Sequence, residues 1–479
     1  MKLSQILNDV SAKVVGKKHR HITGMSNVAN DCNNETIYFC LKGKQADGKN
    51  YIKDAENNGC KVIVSEEAIE NKNLTQIIVP DARKAMSKMA ANFYGNAASR
   101  LKVIGVTGTN GKTSVCNMVA HILKDQYNVG IIGTNGAEYN GHKIATNMTT
   151  PDPIFLHKIF AEMEQNGVEV VIMEMSAHAI FLQKLWGIMP RIVAFTNLSQ
   201  DHLDYFENMD KYYEAKAGLF AGQNYQKAVV CTDTEYGQRI AKISKNVLTC
   251  STTNNNADIF VASNKHTTFG QTFVCNNNGQ NQQFEISLLG KFNLQNAVVA
   301  IGVCKAFGFE LEKIASLLES FEGVDGRFEC ISHNNTNIIV DYAHTPDGLD
   351  SLLFAIREQH PKEKLVCVFG CGGNRDASKR PLMAAVAEKY SDYVIVTTDN
   401  PRYEDNYKIA EDIVAGFSKK KYVVFLDRGQ AIREALEMTK KGGVVVLAGK
   451  GAENYIEVGG AKLEFNDKKY VKKVLAMED

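Results

Sequence analysis

The 479-residue chain has almost no net charge. Its 55 Lys and Arg against 54 Asp and Glu leave +1, so nothing in the balance draws it toward nucleic acid. It lacks any uninterrupted apolar run of about 18 residues, the length a membrane-crossing helix needs. Its start, MKLSQILNDVSAKVV, has neither the apolar core nor the small-residue cleavage site of a secretion signal. These absences lead to the expectation of a cytoplasmic protein without membrane insertion and without a nucleic-acid partner. Its 11 cysteines include no C-x-x-C pair, the closest spacing being Cys367 and Cys371. That excludes an obvious zinc site or disulfide framework and leaves small buried thiols in a reducing compartment. No repeat of fixed period and no long low-complexity segment is present.

What is present is an ordinary globular composition, 44% apolar and 23% charged, in a chain too long for one hydrophobic core. Short β-rich runs alternate with helical patterns in the middle, at 102–108, 129–134, 168–176 and 191–198. They do so again toward the end, at 337–344, 364–371, 393–400, 422–427 and 443–449. Runs apolar on both faces suit parallel sheets covered by helices, whose ligands sit beyond the carboxyl ends of the strands. Before Ser99 the runs are shorter, TIYFCL (36–41) and KVIVSE (61–66). The chain is therefore expected to be an α/β protein of three domains. A small N-terminal α/β domain spans 1–98, a central parallel-sheet ATPase domain with a phosphate loop 99–328, and a Rossmann-like C-terminal domain 329–479. The polar stretches Asn254–Asn256 and Asn276–Gln283 are expected to be hairpin turns.

Directly after the first central strand comes GVTGTNGKTS, Gly105 to Ser114, and then the helical stretch VCNMVAHILKDQ. Strand, glycine loop and helix in that order form a phosphate cradle, in which backbone N–H groups at a helix N-terminus curl around phosphate oxygens. Gly108, Thr109, Asn110, Gly111 and Ser114 would form the loop, Lys112 would reach the β- and γ-phosphates, and the Thr113 hydroxyl would bind Mg²⁺. ATP and magnesium are the expected cofactors. The strict G-x-x-x-x-G-K pattern is not met, because Val106 stands where its first glycine would be.

TGTNGKTS resembles the phosphate loop of the Mur ligases, which build the peptide of bacterial peptidoglycan, and of their folylpolyglutamate synthetase relatives. Further matches follow in the family's order: NMTTPD (147–152), EMSAH (174–178), TNLSQDHLD (196–204), YYEAKAGLF (212–220), LLGKFNLQNAVVA (288–300), GRFE (326–329), VDYAHTPDGL (340–349), GCGGNRDASKRP (370–381), DNPRYED (399–405) and GKGAE (449–453). Within the family the set is most similar to the type that adds the third residue to UDP-MurNAc-L-Ala-D-Glu. The resemblance implies ATP-driven amide ligation through an acyl phosphate, with the two anionic reactants held together by cations.

By the same resemblance Glu174 holds Mg²⁺ and His202 helps bind a second metal. Lys216 would be carbamylated by CO₂ into an anionic magnesium ligand, so that Lys112, Glu174, His202 and Lys216 carry the catalysis. Asn296 and Arg327 would hold the adenine and the phosphates, with Asp341 and His344 facing the nucleotide from the C-terminal domain. Read without the family, Glu174 is a solvated strand-end acid, Lys216 a surface lysine on an amphipathic helix, and Arg402 a surface arginine after a Pro turn.

Arg402 bears on the choice of amine, since a guanidinium can grip the far carboxylate that distinguishes meso-diaminopimelate from lysine. Arg375, Asn400, Arg402, Gly449 and Glu453 match the family's diaminopimelate contacts. On the acid side Ser26, Thr149, Thr150, Ser176 and Lys184 match contacts to the muramoyl dipeptide. Departures gather there: Met25 and Asn27 flank Ser26 in place of Asp and Arg, Ala177 replaces a serine, Leu182 a glutamine and Lys184 an arginine. At the C-terminal end Ala452 replaces a histidine. The substrates implied are UDP-MurNAc-L-Ala-D-Glu and meso-diaminopimelate, and the protein is expected to act as a monomer. The alternative readings are a ligase of this family joining another acid and amine, and a nucleotide-binding regulator that has lost catalysis.

Overall fold

The computed structural model describes residues 1–43, 46–222, 224–267, 270–419 and 421–476. They divide into two compact units that interleave along the chain. Residues 1–105, 124–193 and 218–226 form the first, and residues 106–123, 194–217 and 227–479 the second.

The first unit begins with a five-stranded sheet of β1 (Lys13–Val15), β2 (Gly24–Ser26), β3 (Thr36–Phe39), β4 (Val62–Ser65) and β5 (Thr75–Ile78). Their order is β1-β5-β4-β3-β2, parallel except for the edge strand β1. Every residue of β3 and β4 is buried, as parallel strands covered on both faces require. The covering helix Ala82–Phe93 starts where the Asp81 carboxylate accepts the N–H groups of Arg83 and Lys84. It buries Met86, Met89 and Ala90 in the same apolar cluster as Ile37, Val62 and Ile77.

The chain then enters β6 (Lys102–Thr107), the hairpin strands β7 (Val129–Gly133), β8 (Gly136–Tyr139) and β9 (His142–Ile144), and the strands β10 (Val170–Glu174) and β11 (Ile192–Phe195). β10 pairs in parallel with β7, and β8 and β9 fold back antiparallel. Hydrogen bonds from Lys102 N to Glu169 O (2.9 Å) and from Arg191 N to Val103 O (2.7 Å) place the start of β6 between β10 and β11. β6 and β11 start in the first unit and end in the second, where Thr196 N donates to Thr107 O at 3.0 Å.

The second unit continues with β12 (Lys227–Cys231), β13 (Val247–Ser251) and β14 (Ile259–His266), all parallel, and then the antiparallel β15 (Gln271–Asn277) and β16 (Gln280–Ile286). The β15–β16 turn is the expected hairpin, with Asn278 and Gly279 both at positive φ. Asn254–Asn256 is not a hairpin turn: it joins β13 to β14, which run parallel. Asn-rich composition marks a change of direction without fixing which.

Farther on, a six-stranded sheet has the order β17 (Glu329–His333), β18 (Thr336–Asp341), β22 (Gly443–Ala448), β19 (Leu365–Phe369), β20 (Tyr393–Val396), β21 (Tyr422–Val424). Only β17 is antiparallel. The segments Asp341–His344, Gly370–Arg375, Asp399–Arg402 and Gly449–Glu453 leave the carboxyl ends of β18, β19, β20 and β22, the edge where such sheets bind ligands. A small hairpin of β23 (Tyr455–Val458) and β24 (Ala461–Glu464) follows. Of the eleven cysteines only Cys330 is exposed. No helix among the described residues is long and apolar enough to cross a membrane.

Candidate active site

In the second unit the glycine loop opens onto the helix Lys112–Leu123. The loop is anchored from below by Asn197, whose carbonyl and side-chain oxygen accept the N–H groups of Thr109 and Asn110, each at 2.9 Å. Gly111 is left-handed (φ +83°), and a Cβ there would collide with Asn296 Oδ1. Asn296 is buried on the helix Lys291–Phe307, so the loop and the expected adenine-side residue are in contact. Lys112 Nζ donates to the carbonyls of Gly108 (3.0 Å) and Thr109 (2.9 Å). Arg327 Nη2 donates to Thr113 Oγ1 at 3.0 Å, and its guanidinium lies 4.5 Å from the Tyr342 ring centre. Ser114 is buried in the first helical turn. A helix N-terminus, Lys112 and Arg327 thus converge on one place, a donor set that fits a polyphosphate.

Lys216 is not the surface lysine its helical pattern suggests: it is 1% exposed, and its Nζ donates to Gly108 O at 2.8 Å. Burial and the Lys112 charge hold its amine well below the usual lysine pKa, with Asp201 opposing. Asp201 is a buried carboxylate met by three nitrogen groups: His202 Nε2 at 3.4 Å, His344 Nε2 at 3.6 Å and Lys379 Nζ at 3.5 Å. Burial alone would raise its pKa, but the His344 hydrogen bond and the charges around it hold it well below the carboxylate range. His202 takes a left-handed φ of +56°, a conformation that costs a non-glycine residue about 1 kcal/mol. Asp341 accepts the N–H groups of Phe328 and Ala343, both at 2.7 Å, and burial nonetheless raises its pKa. Asn110 Nδ2 donates to Asp347 at 3.1 Å, so the loop touches the helix after His344.

Also in this unit, the amino-acid candidates gather beyond β19, β20 and β22. Arg402 has a left-handed φ of +53°, held by hydrogen bonds from its N–H to Glu457 O (2.9 Å) and from Gly459 N to its carbonyl (2.6 Å). Its Nη1 donates to Gly373 O at 2.9 Å and its Nε lies 3.3 Å from Glu457 Oε2. Only 20% of the side chain is exposed, so it is not a surface arginine. Arg375 is exposed but lies beside Arg402, since a Cβ at Gly372 would stand 2.9 Å from Arg402 Nη1 and 3.8 Å from Arg375 Cγ; desolvation, and then the Arg402 charge, lower the pKa of Arg375. Asn400 donates to Glu453 Oε2 (3.0 Å), which also takes the fully buried Lys450 ammonium (2.6 Å). A Cβ at Gly449 would stand 2.9 Å from Asp399 Oδ2.

In the first unit, Glu174 is buried at the end of β10 rather than solvated, and its carboxylate accepts from Thr134 N (2.9 Å) and Oγ1 (3.2 Å). Thr150 Oγ1 donates to Glu174 O and accepts from Ser176 N. Thr149 meets Thr134 at 3.2 Å. Lys184 Nζ pairs with Asp152 Oδ1 at 2.7 Å. The Ser26 hydroxyl, on β2, hydrogen-bonds within its own turn, to Val28.

Three family models match the chain: Mur ligase family, catalytic domain (residues 21–94), Mur ligase middle domain (106–304), and Mur ligase, glutamate ligase domain (326–451). The UDP-N-acetylmuramoyl-L-alanyl-D-glutamate--2,6-diaminopimelate ligase 1 of Clostridium acetobutylicum is 38% identical over 98% of both chains. The ligase of that name from Geobacillus kaustophilus is 39% identical over 90% of both. The chain belongs to the Mur ligase family. A solved structure of such a diaminopimelate ligase superposes on it with a TM-score of 0.70 at 30% identity, covering 100% of this chain and 99% of the other. MurF from Acinetobacter baumannii shares the fold at 17% identity, with a TM-score of 0.66 over 99% and 98%.

The motifs left two groups of this Mur ligase unread. Asp201 sits inside a quoted motif, beside His202, but its role emerges only where Lys379 and His344 meet it. Lys450 lies within GKGAE, but its ties to Asn400 and Glu453 emerge only in the fold, and Glu457 follows no pattern that spacing reveals. Of the departures, Met25 is explained by packing: it is buried in the N-terminal core with Ile22 and Ile37. Lys184 carries a charge that Asp152 offsets. Nothing in the structure explains Ala452.

Proposed function

We propose that this Mur ligase joins meso-2,6-diaminopimelate to UDP-MurNAc-L-Ala-D-Glu at the expense of ATP. The observation that carries the choice of amine is the placement of the partly buried Arg402 beside the exposed Arg375 at Gly372, two guanidiniums whose mutual repulsion a substrate carboxylate relieves. The relatives named for this reaction match the chain nearly end to end, which favours it over ligation of another pair and over a catalytically inert regulator. Domain limits at 98/99 and 328/329 belong to the same proposal.

When bound, ATP supplies the phosphoryl group that turns the acid's carboxylate into a reactive acyl phosphate. The chain's own residues do the rest. Gly108 to Thr113 and Arg327 hold phosphate oxygens in line, and Asn296 supports the loop under the nucleotide. Thr113 and Lys216 face the same phosphates, and Glu174 is assigned a magnesium oxygen on its own strand end. Among the described residues no group of three His, Cys, Asp or Glu is gathered as a metal cage. Magnesium carried on phosphates keeps most of its waters and needs only one or two protein oxygens. A neutral amine is the form that adds to carbon dioxide, and burial shifts Lys216 toward that form, which favours its carbamylation. Asp201, fixed between the central loop, His344 after β18 and Lys379 at the start of the helix Lys379–Tyr390, holds the second unit closed over the phosphates, where excluding water protects an acyl phosphate. Thr149, Thr150, Ser176, Lys184 and Ser26 are assigned to the acid substrate.

Mass spectrometry of a reaction containing the chain, ATP, magnesium, UDP-MurNAc-L-Ala-D-Glu and meso-diaminopimelate tests this reading. The expected product is the tripeptide nucleotide. Its absence, with product formed from a different acid, would overturn the substrate assignment.

A further inference from the structure

Three of the buried thiols lie together in the first unit and have no part in the scheme above. Cys32, Cys40 and Cys60 belong to one small apolar cluster with Tyr38, Ala55 and Ile63, on the face of β3 and β4 opposite the helix Ala82–Phe93. The chain around Cys60 is drawn against the chain around Cys32. Asn58 Nδ2 donates to Ala29 O at 3.1 Å, a Cβ at Gly59 would stand 3.5 Å from Asn34 N, and Cys60 Sγ lies 3.5 Å from Thr36 O. The Cys32 and Cys60 thiols meet there, and their contact lowers the pKa of Cys60 against the effect of burial while raising that of Cys32. One sulfur of the pair therefore ionises more readily than a buried thiol otherwise would. Cys40 sits at the far end of β3 with its N–H on Val64 O (2.9 Å), and burial pushes its thiol up to about 12. Cys32 also touches the turn that carries Ser26. Its Sγ donates to Val28 O at 3.5 Å, the same carbonyl that takes the Ser26 hydroxyl at 3.2 Å. Cys32 is 6% exposed and Cys60 0%, so the pair is open to a small oxidant and closed to a protein one.

We propose that Cys32 and Cys60 are an oxidisable pair that hydrogen peroxide closes to a disulfide, and that closure weakens the hold of the Ser26 turn on the acid substrate. One sulfur, as thiolate, attacks peroxide: an S–O bond forms, the O–O bond breaks, and the leaving hydroxide takes up the thiol proton as water. The second sulfur then attacks the sulfenic sulfur: the S–S bond forms, the S–O bond breaks, and hydroxide leaves with the second thiol proton as another water. Two thiols are oxidised to one disulfide, and one peroxide is reduced to two waters. Closure removes the S–H donor from Val28 O and leaves that carbonyl to Ser26, whose hydroxyl is then held within its own turn. The effect on the acid rests on Ser26 as a contact to UDP-MurNAc-L-Ala-D-Glu; the disulfide itself does not.

The test treats the full chain with hydrogen peroxide and compares it with the untreated chain. Peptide mapping by mass spectrometry without reductant should show Cys32 joined to Cys60. KM for UDP-MurNAc-L-Ala-D-Glu should rise about two- to tenfold, the worth of one neutral hydrogen bond, while KM for ATP stays fixed and dithiothreitol restores the untreated value. Cys60→Ala blocks the bond and leaves the Cys32 S–H on Val28, so its acid KM should not respond to peroxide. Cys32→Ser, which keeps an O–H donor for Val28, should resist likewise and covers the case in which the alanine variant folds poorly. No Cys32–Cys60 linkage, or a linkage that leaves the acid KM unchanged, overturns the proposal. An equal rise in KM in both variants also overturns it, since the oxidation that matters would lie elsewhere. If the untreated chain does not ligate UDP-MurNAc-L-Ala-D-Glu, the acid assignment fails and the KM effect with it, while the peptide map still decides whether the pair closes.

Discussion

Replacing Arg402 by glycine should separate binding from stability. At φ +53° the arginine backbone is strained by about 1 kcal/mol, which glycine relieves. Against that stand the loss of the ion pair with Glu457, worth about 1 kcal/mol for side chains that keep about a fifth of their surface in water, and glycine's greater freedom in the unfolded chain. The main-chain bonds to Glu457 and Gly459 need no side chain. These terms nearly cancel, so unfolding free energy should change by no more than about 1 kcal/mol. Loss of a charged hydrogen-bonding grip on a carboxylate costs about 1.5–3 kcal/mol, or roughly ten- to 150-fold in kcat/KM. Steady-state phosphate release with diaminopimelate varied at saturating ATP, and then the reverse, gives both KM values. The diaminopimelate KM should rise by that factor while the ATP KM stays fixed. A parallel rise in both, or unchanged diaminopimelate kinetics, would refute the placement of Arg402.

Two further outcomes concern stability. Arg428 and Asp467 are both fully buried and joined by two bonds of 2.7 Å; Arg428→Met leaves the acid unpaired and should cost about 3–5 kcal/mol in denaturant unfolding, with Arg428→Met/Asp467→Asn recovering part of it. His157 is buried with Nε2 unpartnered among the described residues, and its pKa is lowered to about 4 by burial. The unfolded chain therefore binds this proton first as pH falls below about 6.5. His157 should subtract stability progressively from there down to its folded value, by about 3 kcal/mol in full, and add nothing above pH 7. His157→Leu should flatten that part of the pH–stability curve, and an unchanged curve would contradict the assignment.

The glycine loop was legible because strand, turn and helix are contiguous, so local pattern carries the geometry. Arg402 was legible through DNPR, although its left-handed backbone depends on β23, more than 50 residues on. Asp201 was not, because its meaning depends on Lys379 and His344, brought to it only by the fold. Lys216 shows the limit of periodicity: a helix that reads as amphipathic buries its lysine against the Gly108 carbonyl. The strands β12 and β13 went unread, while the Asn254–Asn256 turn was read with the wrong direction. Composition reports that the chain turns, and only pairing reports whether the next strand runs back or forward.

The most direct test of the whole account is phosphate release from ATP by the purified chain, measured with the acid and the amine added singly and together. The account predicts release only when UDP-MurNAc-L-Ala-D-Glu and meso-diaminopimelate are both present, with lysine a much poorer substitute. Equal rates with lysine, or release that needs a different acid, would contradict it.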